Sequence, residues 1–401
     1  MSLSFDQNKI SVANINYFSF PKKIIFGVES LGNVKAEINR FKAKKILLVT
    51  DEVLKKVGLV RKVTENLQQG DLEIAVYDKI QGEPNVESVM LAAKYAREGK
   101  YDVLIGLGGG SVLDTTKLVA ALSTNPGDIS NYMGGYEDKF KKKPLPKILI
   151  PTNSGTGSEN TQTAVIKYKG IKDFVMGQSL YADIAVVDPS LTLTCPPRQT
   201  AASGMDALSH AIDGILSNQI NPLCLSLAKE VISLISTNLS NAYHNGADLM
   251  ARWNMSMASS MGGLVMNTAT SEWPVHVIAQ DLLGAKYNIP HGTACSMVLP
   301  YVMEFNIPAI TEILFQIAVA FGVDKNSTSR RDGANKAVEA ITKLIDDLEL
   351  PCSLKELNIS RKELAEDAEQ ILKRRGGFGP RKFDVNNLKS LLEKLWEGKI
   401  D

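Results

Sequence analysis

The chain has 401 residues, 44% of them apolar, 22% charged and 6% aromatic, a globular composition long enough for two domains. Forty-five Lys and Arg stand against 44 Asp and Glu, a net charge of +1, so no basic excess marks the chain as a nucleic-acid binder. The opening MSLSFDQNKI is polar and lacks the apolar core of a signal peptide. The longest charge-free stretch, 253–271, carries too much Ser, Asn, Thr and Gly for a bilayer span and reads instead as a buried helix. Four scattered cysteines without a CxxC pair read as free thiols in a reducing cytoplasm.

Continuous apolar runs bounded by turns, at 45–50, 72–77, 103–107, 148–151 and 184–187, predict strands buried on both faces, as in a parallel sheet. Helical periodicity intervenes at 54–67, 86–98 and 112–121, which together imply a doubly wound α/β domain. The basic residues Lys139 and Lys141, Lys142 and Lys143 precede Pro144 and read as a solvated loop. After Asp188-Pro189 nearly every segment reads as helix. Breaks are expected at Asn221-Pro222, His244-Asn245-Gly246, Pro290, the Ile307-Pro308 step and Pro351. The expected organisation is a dinucleotide-binding α/β domain over 1–189 and a helical metal-binding and substrate domain over 190–401. Ligands are expected in the cleft between them, at the carboxyl ends of the strands.

Three segments carry candidate cofactor chemistry. Gly108, Gly109, Gly110 and Ser111 run from a strand into a helix, where backbone N–H groups can donate to phosphate oxygens. The pattern is neither GxGxxG nor a P-loop, and Asp114 and Lys117 extend it to GGGSVLDTTK. A second glycine loop, PTNSGTGSE, offers Thr152, Asn153 and Thr156 to a ribose or a nicotinamide amide. Asp51 ends the first parallel strand, where a carboxylate either accepts ribose hydroxyls and repels a 2′-phosphate, or caps the following helix.

The histidines point to a metal. Asp206 and His210 stand four apart and so share one helix face, about 40° apart, among Ala207, Ala211 and Ile215. An unpaired carboxylate among such residues is costly. His276 and His291 follow in apolar segments separated by Gly284 and Pro290, so both can turn toward one point. One carboxylate and three imidazoles suit Fe(II), Zn(II) or a similar divalent ion. His244, in AYHNG, reads as a surface turn.

The order of the blocks KILLVTDEVLKKVGLV, GGGSVLDTTK, ILIPTNSGTGSE, DIAVVDPSLTLTCPPRQTAASGMDALSHAID and YNIPHGTACSMVLP resembles the iron-containing, group III alcohol dehydrogenase family over nearly the whole chain. The resemblance implies a dehydroquinate synthase-like architecture, with an N-terminal α/β nucleotide domain and an all-α C-terminal domain. It implies Fe2+ or Zn2+ held by one Asp and three His, with Asp206, His210 and His291 on three of those positions. The fourth departs from the family pattern: His276 lies 15 residues before His291 rather than 14, Val277 takes the regular place, and Gln280 stands where a second His often follows. A one-residue helix bulge would return His276 to the site. NAD phosphates would fall on Gly108, Gly109, Gly110 and Ser111, with Asp114, Thr152, Asn153 and Thr156 nearer the nicotinamide, and Asp51 favouring NAD over NADP.

The activity the resemblance implies is interconversion of a small primary alcohol or diol and its aldehyde or ketone. The apolar, small-residue stretch 261–265 and Trp273 fit a neutral substrate. A homo-oligomer, most simply a dimer, is expected, without nucleic-acid or membrane partners. Two alternatives remain at this stage. One is a dehydroquinate synthase-like lyase, which would need more cations than Arg198, Arg252 and Lys286 supply near the histidines. The other is a nucleotide-binding homologue whose metal site has decayed at His276.

Overall fold

A computed structural model describes residues 15–68, 71–216, 221–269 and 272–400, so the polar opening segment read above for targeting lies outside the described residues. The chain divides into two compact units, one formed by residues 18–195 and 246–267, the other by the remainder. The strands are β1 (Ile24–Phe26), β2 (Lys45–Val49), β3 (Glu73–Tyr77), β4 (Val103–Gly108), β5 (Lys147–Pro151), β6 (Thr163–Tyr168), β7 (Ile171–Met176) and β8 (Ile184–Val187). The helices of the first unit begin with α1 (Val34–Arg40), α2 (Glu52–Lys56), α3 (Leu59–Leu67), α4 (Val86–Gly99) and α5 (Gly110–Thr124).

The main sheet has the order β1-β8-β5-β4-β2-β3, and every ladder in it is parallel. Alternate residues of one strand serve opposite faces, as the pleat requires. Ile46 and Leu48 of β2 pack with Val34, Ile38 and Val63, whereas Leu47 and Val49 pack with Val89, Ala92 and Val119. Helices thus cover both faces, which is why the strands read as unbroken apolar runs rather than as alternating ones. The chain runs from β2 to β3 on one side and then crosses to β4 on the other, so the order reverses between β2 and β4. The loops that leave β2 and β4 flank this switch point, where open α/β sheets bind ligands.

Two elements of this unit differ from the sequence expectation. The helix expected over 54–67 is two helices, because Gly58 sits in the left-handed region at φ 84° and starts α3 afresh. The chain after β5 also contains an antiparallel hairpin, β6–β7, that the apolar runs did not indicate. Lys169 and Gly170, at φ 50° and 79°, form its two-residue turn.

Buried polar contacts fix the second glycine loop. Lys117 of α5, fully buried, donates to Asp114 Oδ1 (3.1 Å), Ser158 Oγ (2.7 Å), Thr161 Oγ1 (3.0 Å) and the Thr163 carbonyl (2.8 Å). These acceptors return part of the desolvation cost of the ammonium, whose pKa burial still lowers, and they pin α5 to the chain that follows β5.

The remaining helices are α6 (Pro197–Ile215), α7 (Pro222–His244), α8 (Leu249–Thr268), α9 (Pro274–Ile278), α10 (Ala285–Tyr287), α11 (His291–Ala320), α12 (Arg330–Asp347), α13 (Leu364–Arg375) and α14 (Val385–Glu397). The helix expected over 253–271 is α8, and all of it but Thr268 belongs with the sheet of the first unit. There Asn160 Nδ2 donates to the Ser260 carbonyl (2.9 Å), and Asn267 Nδ2 donates to the Asn160 carbonyl (2.6 Å). A Cβ on Gly157 would come within 2.5 Å of Gly263 N, so this crossing tolerates only glycine.

In the second unit, α7 begins where the Asn221-Pro222 break was expected, with Asn221 accepting from Cys224 N at 2.9 Å as an N-cap. The break expected at the Ile307-Pro308 step appears as a kink within α11, where the backbone leaves helical geometry at Ile310 (φ −137°, ψ 31°) and two helical segments meet. Gly284 does not break its helix either, because a six-residue π-helix, Ala279–Gly284, carries the chain into α10. The turn comes later, at Asn288 in the left-handed region, before Pro290. Among the described residues α7 and α11 are long and apolar enough to cross a bilayer, and both bury apolar residues within the protein, among them Val231, Ile235, Val298 and Leu314.

The first turn of α11 lies against α6. A Cβ on Gly292 would stand 2.1 Å from the Ala202 carbonyl oxygen, so the residue after His291 must be glycine for these backbones to touch. Gly292→Ala forces them apart, and overpacking of this kind costs about 1–3 kcal/mol. Urea unfolding of the variant is expected to show a lower midpoint with an unchanged slope.

Candidate functional site

Helix α6 is buried on all sides from Thr200 to Ile215, and it carries Asp206, His210 and Asp213 on one face. The intervals of four and seven residues bring the three within an arc of about 60° around the axis. His276 comes from α9, and His291 opens α11. The Nε2 atoms of His291, His276 and His210 stand 3.5, 3.7 and 4.0 Å from a single atom, Asp206 Oδ1. The rings of His210 and His276 stack with centroids 4.6 Å apart. All four residues that the sequence nominated for the metal are therefore together, including His276 despite its one-residue shift. The π-helix that follows His276 is a bulge between His276 and His291, as the spacing called for.

These separations exceed hydrogen-bond length, and Asp206 Oδ1 and His276 Nε2 are buried without a hydrogen-bond partner. Donors about 2.1 Å from a shared cation, at tetrahedral angles, lie about 3.4 Å from each other. The cluster has that spacing. The buried atoms left without partners and the donor chemistry both fit a divalent ion held by Asp206, His210, His276 and His291.

Two further residues complete the centre, and neither was assigned from sequence. Asp213 Oδ2 lies 2.7 Å from His276 Nδ1, and the same carboxylate accepts from Val275 N and His276 N at 3.0 Å each. With Nδ1–H donated to Asp213, the lone pair of His276 is on Nε2, facing Asp206. Its signal in the sequence was the interval of seven from Asp206. Cys295, one turn after His291, places Sγ 3.8 Å from His291 Nε2. Asp206, His276, His291 and Cys295 each put one donor atom within 4.8 Å of the others.

The charges of the cluster are mutually dependent. Burial pushes the Asp206 carboxyl up, but attraction by His210, His291 and His276 outweighs it and holds the group below the ordinary carboxylate range. Burial pushes His276 down, while Cys295, Asp206 and Asp213 raise it well above an ordinary imidazole. His291 is raised in the same way, against burial, by Cys295 and Asp206. A bound metal ion would compete with protons for these groups. The His291 side chain is 31% exposed against 4% for Asp206, so the cluster is accessible at its His291 edge. Trp273 stands edge-on to His276 at 5.9 Å and gives that neighbourhood an apolar wall.

His244 lies apart at the end of α7, with Nε2 3.2 Å from Asp347 Oδ1 on the surface.

The cofactor candidates lie in the first unit. Gly108 ends β4, and Gly109, Gly110 and Ser111 turn into α5, whose N-terminus no side chain caps. Thr152, Asn153 and Thr156 follow β5, the neighbour of β4 in the sheet. The two loops touch: a Cβ on Gly109 would meet Asn153 Nδ2 at 2.9 Å, and one on Gly110 would meet Thr156 Cγ2 at 2.6 Å. Asp51 follows β2 and caps α2, its Oδ1 accepting from Leu54 N at 2.9 Å. Asp114 is engaged internally: Oδ1 accepts from Lys117 and Ser158, and Oδ2 from Val165 N at 2.9 Å.

Asp213→Ala leaves the Nδ1–H of His276 and two backbone N–H groups without their acceptor. Loss of such an outer partner is expected to weaken zinc binding about 10- to 100-fold, with Asp213→Asn milder, as read by competition with a chelator.

The iron-containing alcohol dehydrogenase family model matches residues 21–189, and the model of that family's C-terminal region matches 200–396. Long-chain-alcohol dehydrogenase 1 of Geobacillus thermodenitrificans is 37% identical over 98% of both chains. The 1,3-propanediol dehydrogenase of Klebsiella pneumoniae is 32% identical over 96% of this chain and 98% of its own. A crystal structure of a 1,3-propanediol oxidoreductase superposes with a TM-score of 0.90 at 30% identity, over 96% of this chain and all of the other. The chain belongs to the iron-containing alcohol dehydrogenase family.

Proposed function

We propose that the chain is a metal-dependent NAD oxidoreductase that interconverts a primary alcohol or diol and its aldehyde or ketone, with Asp206, His210, His276 and His291 holding the cation. The observation that carries this reading is the convergence of three imidazole nitrogens on Asp206 Oδ1, a buried oxygen that makes no hydrogen bond. When bound, a divalent ion supplies positive charge to the substrate oxygen. Bringing a water-like pKa from about 15.7 to about 7 corresponds to roughly 12 kcal/mol, whereas one hydrogen bond contributes about 1–3.

The protein's own residues do the positioning. Asp213 holds His276 in the tautomer whose Nε2 lone pair faces the centre, and the Trp273 ring stands edge-on beside that imidazole. The uncapped start of α5 offers backbone N–H groups to a pyrophosphate at Gly109, Gly110 and Ser111, with Gly108 leaving space for its approach. Thr152, Asn153 and Thr156 then face the nicotinamide half. Asp114 acts through the loop that it and Lys117 hold in place. Asp51 Oδ1 is used by the helix cap, which leaves the ribose hydroxyls to Oδ2, and its charge disfavours a 2′-phosphate. NAD is thus preferred to NADP. Among the relatives, a Bacillus methanolicus protein is named an NAD-dependent methanol dehydrogenase, and a sulfoacetaldehyde reductase, 26% identical with a TM-score of 0.85, was crystallised with NAD+.

The domain reading keeps the dinucleotide on the α/β part and the metal on the helical part. All four cysteines are free thiols, which suits a reducing cytoplasm, and assembly as a homodimer belongs to the same reading. The decayed-site alternative rested on the shift at His276, whose Nε2 is nonetheless 3.7 Å from Asp206 Oδ1. The lyase alternative predicts no net NADH turnover.

The test loads metal-stripped protein with Fe(II) or Zn(II) under anaerobic conditions and follows NADH and NADPH oxidation over a panel of aldehydes. Turnover with NADH that depends on added metal is expected. Asp206→Ala should abolish it by about 100-fold or more while NADH binding, read by fluorescence, persists. Full activity of the stripped protein, or of Asp206→Ala, would contradict the reading.

A further inference from the structure

The cluster contains a donor that one carboxylate and three imidazoles do not account for. Cys295 is fully buried on α11, one helical turn beyond His291, so its Sγ projects from the same face as that imidazole. Sγ is 3.8 Å from His291 Nε2, and it falls within 4.8 Å of the donor atoms of Asp206, His276 and His291. A metal–sulfur bond of about 2.3 Å and a metal–nitrogen bond of about 2.1 Å, at a tetrahedral angle, separate the two donors by about 3.6 Å. The second observation at this point is Asp206 itself, 3% exposed, whose Oδ1 is aimed into the same space without a hydrogen-bond partner.

We propose that Cys295 binds, as a thiolate, the cation held by Asp206 and the histidines, making a mixed oxygen, nitrogen and sulfur centre that retains thiophilic ions, Zn(II) or Co(II), over Mg(II) and Mn(II). The inference rests on the metal reading given above and adds to it a ligand and a selectivity. Sulfur forms a bond to the ion as its S–H bond breaks, and the proton leaves to solvent with no change of oxidation state. Thiolates select zinc and other soft or borderline ions, whereas Mg(II) and Mn(II) prefer oxygen donors. The bland alternative is a weak S–H···N contact to His291, which leaves sulfur off the ion.

Zinc K-edge X-ray absorption on the full-length, zinc-loaded protein separates these. The expected spectrum has a sulfur shell at about 2.3 Å beside nitrogen and oxygen at about 2.0–2.1 Å. Cys295→Ser, close in size, should lose the sulfur shell and bind zinc more weakly by at least the 10- to 100-fold that loss of an outer partner causes. Cobalt(II) gives a second readout, a thiolate-to-cobalt charge-transfer band in the near ultraviolet that is present in the native protein and absent from Cys295→Ser. A nitrogen and oxygen shell alone at full zinc occupancy overturns the proposal and leaves the metal centre standing. A sulfur shell that survives in Cys295→Ser also overturns it. Failure of the native protein to take up zinc or cobalt overturns this proposal and the metal reading together.

Discussion

A carboxylate oxygen buried without a hydrogen bond, faced by three imidazoles, is the constraint around which the helical unit is arranged. Desolvating such a group is costly unless charge or hydrogen bonds return the loss. Asp206 lies on a helix whose residues from Thr200 to Ile215 are all buried, so its carboxylate is largely withdrawn from solvent. The nearest compensating groups are His210, His276 and His291, at distances suited to sharing an ion rather than to bonding directly with the carboxylate. Against the opposing effect of burial, Cys295, Asp206 and Asp213 raise His276, and Cys295 and Asp206 raise His291.

The backbone features near the site serve that convergence. Gly292 lets the first turn of α11 touch the Ala202 carbonyl, which brings His291 beside α6. The π-helix after His276 absorbs the extra residue between the two histidines. Asp213 orients His276 and also receives two backbone N–H groups at the start of α9, so one carboxylate fixes both the ring and the helix that carries it. The strained backbone at Trp273, φ 24°, immediately precedes this helix and places the indole against His276. In the other unit, glycines do comparable work at the two loops, where Gly109 and Gly110 leave room for Asn153 and Thr156.

The parallel sheet was legible because strands buried on both faces read as continuous apolar runs, and β2, β3, β4, β5 and β8 lie where those runs occur. The β6–β7 hairpin was not legible. Its strands mix Lys, Thr, Tyr and Asp with apolar residues, and its signal was only the Lys169-Gly170 turn. Proline at Pro308 was informative: the helix kinks two residues later, at Ile310. Asp206 and His210 were legible from helical spacing, and His276 and His291 from the scarcity of histidine. Asp213 and Cys295 share those spacings, at seven from Asp206 and four from His291. They carried no distinguishing mark because an acid or a thiol at such intervals ordinarily has no ligand, and only the fold shows what each one faces.

Anomalous diffraction from crystals of the protein grown with zinc tests the central claim most directly, since the signal locates the ion without reference to activity. The account predicts one strong peak within coordination distance of Asp206, His210, His276 and His291. A peak elsewhere, or these four side chains turned away from one another with no ion between them, would contradict it.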